Sequence, residues 1–358
     1  MKKRKNKWYY DANSYHDVVL SGTVMLARNF ADFNFPSKLS AEDATKVVEE
    51  MRSYTQELGN RLENDYYSCR MEKLSNADKD ALIESHAITP SLKRKKDPAG
   101  LILSDDESES IMINDDDHVH IQVIRPGYNL RGAFKRANVI DDFIDSKKQY
   151  CYSEKYGYLT SKLQDAGTGL HASYMLSLPG ITMGGKVDIL QEEISRFDVT
   201  LKGIYGEGSK SAGFIFQVSN RKTLGISENE ILENLEQVTA QIVDIEKRMR
   251  QGVVNNIRGE LTDRVYRSYG VLKYAKNLAQ KDAMVLLAQL KLGSDCGIIN
   301  IKGGGAALHR LMIEMQPGNL QAICKKSMGS TQRDEQRAKY VNEHLPELIL
   351  PEVKKVED

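Results

Sequence analysis

The chain is poor in the features that mark secreted, membrane-spanning or metal-stabilised proteins. It has four cysteines in 358 residues, far apart and without the CxxC spacing of a metal site. We therefore expect free thiols, no metal centre and a reducing, cytoplasmic compartment. The basic segment Met1–Lys7 is not followed by an apolar stretch, and no apolar run approaches the roughly 20 residues that cross a bilayer. Neither a signal peptide nor a membrane partner is expected.

An excess of one charge is also lacking. Lys and Arg together number 50, as do Asp and Glu, so no overall field draws the chain to nucleic acid. Any anion must then be bound by a local cluster of residues. Hydrophobic residues make up 41% of the chain and charged residues 28%, which is the balance of globular proteins. The length leaves room for about two domains.

The first two thirds of the chain mix strand and helix patterns. Residues 1–16 are polar and predict a flexible N-terminus. Within residues 17–225, runs with period-two alternation predict an antiparallel sheet with one covered face, and helices between them give an α+β class. The strand candidates are Ser108–Ile113, His118–Ile124, Thr168–Leu178, Asp198–Ile204 and Ala212–Ser219. The helix candidates are Ala41–Leu58, Ser75–His86, Asn129–Lys148 and Gly185–Arg196.

Residues 226–358 predict an all-α domain. Ser227 to Glu230 resembles a capping box, and apolar residues then recur at helical spacing. Further helices are expected at Ile257–Leu278, Gln280–Leu292, Ala306–Gln316 and Gln332–His344. Only Gly297–Ile301 has a strand-like pattern.

Five segments place glycine or polar residues beside apolar strands: 20–29, 114–122, 157–160, 167–173 and 203–209. Each alone is weak, because a glycine cluster is more often a turn than a phosphate cradle and an acidic triplet is usually solvated. Their order and spacing together resemble the signature blocks of the ATP:guanido phosphotransferases, in detail the protein-arginine kinase branch. The blocks Glu84–Pro90 and Asp263–Gly270 agree, so the resemblance runs from about residue 17 to about residue 344.

The resemblance implies a guanido kinase fold and transfer of the γ-phosphoryl group of MgATP to an arginine guanidinium. Two carboxylates would clamp the guanidinium, and a fan of arginines would hold the phosphates by bidentate bonds. The carboxylate positions correspond to Asp116, one methylene shorter than the expected glutamate, and to Glu207. MgATP is the implied cofactor if the chain is active.

The chain departs from the family pattern at the phosphate grip. Thr23, Met25, His120, His171 and Lys202 stand where arginines are expected. The remaining nucleotide positions implied by the resemblance are Ser21, Gly22, Val24, His86, Ala172, Ser173, Tyr174, Met175, Gly203, Ile204, Tyr205, Gly206 and Glu207. A charged hydrogen bond contributes about 1.5–3 kcal/mol, so losing four arginines would remove more free energy than the roughly 4 kcal/mol of millimolar binding. Lys162 replaces an expected cysteine, and is either a surface lysine or a new positive charge in the pocket.

A second segment near the C-terminus keeps its family residues. Thr331 is expected to cap a helix with Asp334 at the third position, and Arg333 and Arg337 lie four residues apart on one helix face. With Ser330, Thr331 and free backbone N–H groups, they would form an anion site. Arg333, Asp334, Arg337 and Ala338 resemble the phosphoarginine-binding motif of protein-arginine kinases.

Two functions follow. The first is a degenerate kinase that binds phosphoarginine in protein quality control. The alternative is an active protein-arginine kinase with a phosphate site rebuilt from His120, His171 and Lys202, joined by Lys162 if that side chain faces the pocket. A different nucleotide, a different acceptor or a structural role is a minor third possibility. The resemblance implies a homodimer, arginine-phosphorylated proteins as ligands, and a small zinc-binding activator and a Clp-type unfoldase as partners.

Overall fold

An eight-stranded antiparallel sheet organises the first two thirds of the chain in this computed structural model, which describes residues 7–204, 211 and 213–349. The strand order is β2-β3-β4-β5-β1-β8-β10-β9, and β6 and β7 form a separate hairpin. The strands are β1 (Val19–Arg28), β2 (Tyr66–Arg70), β3 (Gly100–Ser104), β4 (Glu109–Ile113), β5 (Val119–Pro126), β6 (Tyr152–Ser153), β7 (Gly157–Tyr158), β8 (Leu170–Ser177), β9 (Val199–Gly203) and β10 (Ile215–Asn220).

Helices flank this sheet and form the last third of the described chain. They are α1 (Ala41–Ser53), α2 (Thr55–Leu62), α3 (Asn76–Glu84), α4 (Pro90–Arg94), α5 (Leu130–Asp145), α6 (Pro179–Met183), α7 (Val187–Ser195), α8 (Glu228–Tyr274), α9 (Gln280–Asp295), α10 (Gly304–Glu314), α11 (Pro317–Cys324) and α12 (Ser330–His344). The α+β class and the helical C-terminal region are confirmed. None of the helices in the described ranges is long and apolar enough to cross a membrane.

Period-two alternation gives the sheet one apolar face. Val24, Leu26, Ile121 and Leu170 lie on this face and are fully buried against α5 and the first half of α8. The second half of α8 packs with α9, α10 and α12 in another core, which also takes in Met175 from the sheet. Helix α8 therefore joins the two cores, and the boundary predicted at residues 225 and 226 falls just before it.

Several predicted elements differ from the structure. The helix expected over Ala41–Leu58 divides at Tyr54, and α2 begins at Thr55. The helices expected on either side of Ile257 are one helix, with a kink where Ile257 has a φ of −131°. The segment Gly297–Ile301 is not a strand, because only Ile301 forms an isolated bridge. Strands β2 and β3 were missed, since both are short and β3 is buried throughout, which removes the alternation that predicts a strand.

The N-terminal segment is packed where the structure describes it. Trp8 and Tyr9 are buried, and the Trp8 indole N–H donates to the carbonyl oxygen of Ser85 at 3.0 Å. The Tyr10 hydroxyl donates to Glu314 of α10 at 2.5 Å. Residues 8–10 of the segment predicted to be flexible therefore pack against the rest of the protein, because three consecutive aromatic side chains outweigh the polar residues around them.

Candidate functional site

The five positions at which arginine is replaced share one face of the sheet. Met25 pairs with Gln122 on β5 and with His171 on β8, so these three side chains are neighbours. Ala27, two residues along β1 from Met25, pairs with His120. Thr23, two residues before Met25, points to the same side. On the far strands Met175 pairs with Gln217, which pairs with Lys202. We call this surface of the sheet the cleft face.

The other residues predicted to bind nucleotide are divided between the two sides of the sheet. Ser173 and Met175 lie on the cleft face. Val24, Ala172 and Tyr174 point the other way, and all three are completely buried in the apolar core. Tyr205, Gly206 and Glu207 lie outside the described residues, so the second predicted carboxylate has no described geometry.

His120 is enclosed by two aspartates. Its Nδ1 lies 3.4 Å from Asp115 Oδ2, and its Nε2 lies 3.3 Å from Asp117 Oδ2. All three side chains are buried. Burial alone would lower the pKa of His120, but the two carboxylates outweigh it and raise the pKa to about 9. His120 is therefore cationic at neutral pH, and its charge is already used inside the protein.

Asp116, between these two buried aspartates, is the member of the acidic triplet that faces outward. Its Oδ2 lies 2.6 Å from Lys162 Nζ, and its Oδ1 accepts a hydrogen bond from the Ser91 hydroxyl at 3.1 Å. The loop that carries Lys162 is tied down one residue earlier, where the Ser161 amide donates to Asp117 at 2.6 Å. The Asp116 bond raises the pKa of Lys162. Lys162 does add positive charge at the acidic triplet, although its side chain remains 58% exposed.

The two other basic replacements differ in their surroundings. His171 Nε2 lies 2.7 Å from Asp165 Oδ1, so this imidazole also has a carboxylate partner within the protein. Lys202 is exposed on β9, beside the undescribed segment 205–210. None of the five positions offers the pair of parallel N–H donors with which arginine grips a phosphate.

His86 lies at the rim of the cleft face. Its φ is +60°, which is unusual for a residue with a side chain, and its carbonyl oxygen accepts a hydrogen bond from the Gln122 amide at 2.7 Å. Burial lowers the pKa of the His86 imidazole to about 4, so the ring is neutral at physiological pH. His86 therefore supplies no positive charge to an anion.

The predicted phosphoarginine motif lies at the start of α12. The helix begins at Ser330 with Gly329 in the capping position, and the Gly329 amide donates to Gln332 at 3.4 Å. The expectation that Thr331 caps the helix is wrong, because the helix starts one residue before it. Thr331 is exposed in the first turn, where amide N–H groups lack intrahelical acceptors.

The two arginines of the motif have different environments. Arg333 is partly exposed, whereas Arg337 is buried with 1% of its surface exposed. The Arg337 Nε donates to the carbonyl oxygen of Met315 at 3.0 Å, and its Nη1 donates to the carbonyl oxygen of Leu278 at 2.8 Å. Nη1 also contacts Asp334. Two of the hydrogen bonds that Arg337 makes thus hold α12 to its neighbours, and the contact with Asp334 lies within α12.

Sequence reasoning missed the carboxylates that pair with the basic groups of the cleft face. Asp115 and Asp117 flank Asp116, the predicted carboxylate, and both lie within five residues of His120. Because side chains alternate along this segment, the sequence could have predicted that these two aspartates point into the protein while Asp116 points outward. Asp165 precedes His171 by six residues across a turn, and the sequence carries no signal for that contact.

Solved structures identify the class of this fold. The chain aligns with a duplicated taurocyamine kinase from Schistosoma mansoni, with bound transition-state analogue components, at a TM-score of 0.58 and 20% identity over 68% of this chain and 36% of that one. It aligns with lombricine kinase at a TM-score of 0.56 and 18% identity over 70% of this chain and 73% of the other. The fold is that of the guanido kinases.

Sequence comparisons define the family within this class. Residues 46–249 match the model for the ATP:guanido phosphotransferase C-terminal catalytic domain, and residues 258–355 match that for the protein-arginine kinase McsB C-terminal domain. The protein-arginine kinase of Caldanaerobacter subterraneus is 39% identical over 92% of this chain and 97% of its own. That of Bacillus subtilis is 37% identical over 95% of this chain and 93% of its own. The chain belongs to the protein-arginine kinase family.

Proposed function

We propose that this family member is catalytically impaired and that it binds phosphoarginine on other proteins through the start of α12. The observation that carries the first part is the cleft face. No arginine stands at its five predicted phosphate positions. The imidazole rings of His120 and His171 instead contact the carboxylates of Asp115, Asp117 and Asp165.

The cleft face does not fit the triphosphate of MgATP. Three phosphates need several cationic donors that are free to turn toward the ligand. Among the five positions, Thr23 and Met25 carry no charge and the two histidines are internally paired. Lys202 alone remains as an exposed cation there. We therefore expect the chain to have lost affinity for MgATP.

The start of α12 supports the second part of the proposal. Arg333 is partly exposed one turn before Arg337, and Ser330 and Thr331 present hydroxyls beside the unpaired amides of the first turn. Positive helix ends and a guanidinium are the donors that a phosphoryl group prefers. Arg337 already donates hydrogen bonds to two backbone carbonyl oxygens. Arg333 would therefore make most of the contact with the phosphate, and Arg337 would hold in place the helix that carries Arg333.

Calorimetry tests both parts. We expect no measurable heat with MgATP, and binding of a phosphoarginine peptide that Arg333→Ala weakens about tenfold or more, as for one charged hydrogen bond. Arg267→Ala, an exposed arginine on α8, is the matched control and should leave the affinity unchanged. Micromolar MgATP binding together with phosphate transfer to protein arginine would favour the active-kinase alternative instead.

The biological setting follows from the same proposal. A phosphoarginine-binding protein of this family would act on arginine-phosphorylated proteins in protein quality control, as a homodimer and in the cytoplasm. A small zinc-binding activator and a Clp-type unfoldase are the proposed partners. Pull-down with arginine-phosphorylated and unphosphorylated forms of one protein tests directly whether the chain binds arginine-phosphorylated proteins.

A further inference from the structure

A cavity of about 480 Å³ lies where the N-terminal segment, α3 and α11 meet. The turn between β3 and β4, strand β2 and the last residue of α10 also contribute to its wall. No residue of the cleft face or of the start of α12 is among the described residues that line it. The volume is in the range of pockets that hold small molecules. The cavity is therefore a third candidate site, separate from the two regions described above.

The side chains that line this cavity carry more negative than positive charge. Asp78, Glu107 and Glu314 contribute carboxylates, and Lys7 is the one cation among the described residues of the lining. Lys7 Nζ lies 2.6 Å from Glu107 Oε1, and Asp78 is engaged at the start of α3, where it accepts a hydrogen bond from the Ser75 amide. This balance of charge disfavours an anionic ligand and favours a cation.

Two polar groups of the lining have no partner among the described residues. The Glu107 Oε2 atom is buried and accepts no hydrogen bond from them. Tyr9 is 7% exposed, and its hydroxyl likewise forms no hydrogen bond with any residue that the structure describes. Burial and the charge of Glu107 raise the pKa of Tyr9, so the hydroxyl is neutral and lies near this carboxylate. Because buried polar groups are almost always hydrogen-bonded, both groups indicate a ligand that donates hydrogen bonds.

Much of the remaining lining is aromatic or aliphatic. It includes Tyr10, Tyr67, Leu74, Leu82, Ala322 and Ile323. The guanidinium carbon of Arg310 lies 3.7 Å from the centre of the Tyr10 ring, so one tyrosine of this wall already has a cation against its face. Arg310 also pairs with Glu314 at 3.0 Å, which leaves Glu107 as the carboxylate with an unused oxygen. The cavity thus combines one acidic acceptor with surfaces that suit an apolar or aromatic group.

We propose that this cavity binds a small organic amine, in which a short chain joins an ammonium group to an apolar or aromatic group. The ammonium group would donate hydrogen bonds to Glu107 and to the Tyr9 hydroxyl, and the apolar group would lie against the tyrosine rings and the aliphatic side chains. Such a ligand would contact the N-terminal segment, the sheet-bearing part and α11 at once. Its binding would therefore stabilise the packing of these three parts.

Calorimetry of the full-length protein with three probes of similar shape tests the charge of the ligand. Phenethylamine is cationic near neutral pH, phenethyl alcohol is uncharged and phenylpropionate is anionic. We expect phenethylamine to bind, the alcohol to bind about tenfold more weakly or less, and phenylpropionate to give no measurable heat. Equal affinity for the amine and the alcohol, or tighter binding of phenylpropionate, would overturn the proposal.

Variants of the lining test where the amine binds. Glu107→Gln should weaken the binding of phenethylamine about tenfold or more, and Tyr9→Phe about fivefold. Lys7→Met removes the ammonium group that competes for Glu107 and should strengthen binding about two- to fivefold. Glu57→Gln is the matched control: Glu57 pairs with Lys147 at the same 2.6 Å, but outside the cavity, and its loss should leave the affinity unchanged.

Tyr9→Phe removes only a hydroxyl without a partner among the described residues, so it keeps the test valid even if Glu107→Gln does not fold. Unchanged affinity in both Tyr9→Phe and Lys7→Met would contradict the proposal. Acetyl-phenylalanyl-lysine amide, compared with phenethylamine, distinguishes the two sources of an ammonium group: tighter binding of the peptide assigns it to a lysine of another protein, and weaker binding to a free amine. A phosphoarginine peptide should not displace phenethylamine, so the result is independent of the function proposed for α12.

Discussion

The cleft face of the sheet and the first turns of α12 both carry basic groups at positions where the sequence predicts a phosphate site. In both regions, some of these basic groups point into the protein. On the cleft face His120 is buried between Asp115 and Asp117. In α12 Arg337 is buried on the carbonyl oxygens of Met315 and Leu278. The two regions differ in the basic side chains that are still exposed. Among the five positions of the cleft face this is Lys202, whereas in α12 it is Arg333, which lies beside free amides of the first helical turn. A basic residue in a family motif is thus evidence for a ligand only when its donors are free.

The largest effect is expected from the inward arginine of α12. Arg337→Ala leaves two buried carbonyl oxygens and Asp334 without their donor, and should lower the free energy of unfolding by about 3–5 kcal/mol. Arg333→Ala, on the same face but partly exposed, should change it by less than about 0.5 kcal/mol. Urea denaturation of both variants measures the difference. Equal losses would mean that the two arginines do not differ as the structure indicates.

The next effect concerns the inward histidine of the cleft face. The pKa of His120 is raised from 6.5 to about 9, so its stabilisation is complete below pH 6.5 and is lost as the pH rises through 9. The free energy of unfolding should fall by up to about 3 kcal/mol over that range. His120→Gln carries no titrating charge and should lose this slope, together with part of its stability at pH 6.5. Parallel pH profiles for the two proteins would argue against a charged His120.

Restoring arginine should have a smaller but still measurable effect. Met25 and His171 are direct neighbours across β1 and β8, so Met25→Arg with His171→Arg places two guanidinium groups side by side. Each should improve MgATP affinity roughly tenfold or more, through charged hydrogen bonds of about 1.5–3 kcal/mol. The matched variant with lysine at both positions has the same charge without the bidentate donors and should gain less.

His120→Arg is best left out of that variant. Its larger guanidinium would have to enter the buried space between Asp115 and Asp117. The resulting loss of folding stability would obscure the gain in affinity. If calorimetry detects no MgATP binding to the double arginine variant, then the geometry of the cleft face, and not only its charge, has changed.

The sequence was sufficient for most of the sheet and for the helical region, because period-two and helical spacing are local. Strands β2 and β3 were missed because this signal is weak in them. The sequence could not predict in the same way which charged side chains point into the protein. Asp165 reaches His171 through a turn, and Arg337 reaches Leu278 and Met315 through tertiary packing. Motif matching therefore located α12 correctly but could not tell that Arg337 is buried. For the same reason Trp8 was assigned to a flexible segment, although it packs on Ser85, far along the chain.

The smallest effect is expected at Lys162. Its ammonium group lies against Asp116, so any cation that approaches this carboxylate must first displace it. An exposed ion pair contributes about 0.2–1 kcal/mol, and Lys162→Ser should therefore raise the affinity of Asp116 for an arginine side chain only about two- to fivefold. Titration with N-acetyl-arginine amide, against its uncharged citrulline counterpart, measures this gain. Lys155→Ser, on the turn of the neighbouring hairpin, is the control that should show none. A gain in affinity well above tenfold would mean that Lys162 blocks the cleft face by shape as well as by charge. If N-acetyl-arginine amide binds measurably but Lys162→Ser gives no gain, the ligand binds away from Asp116.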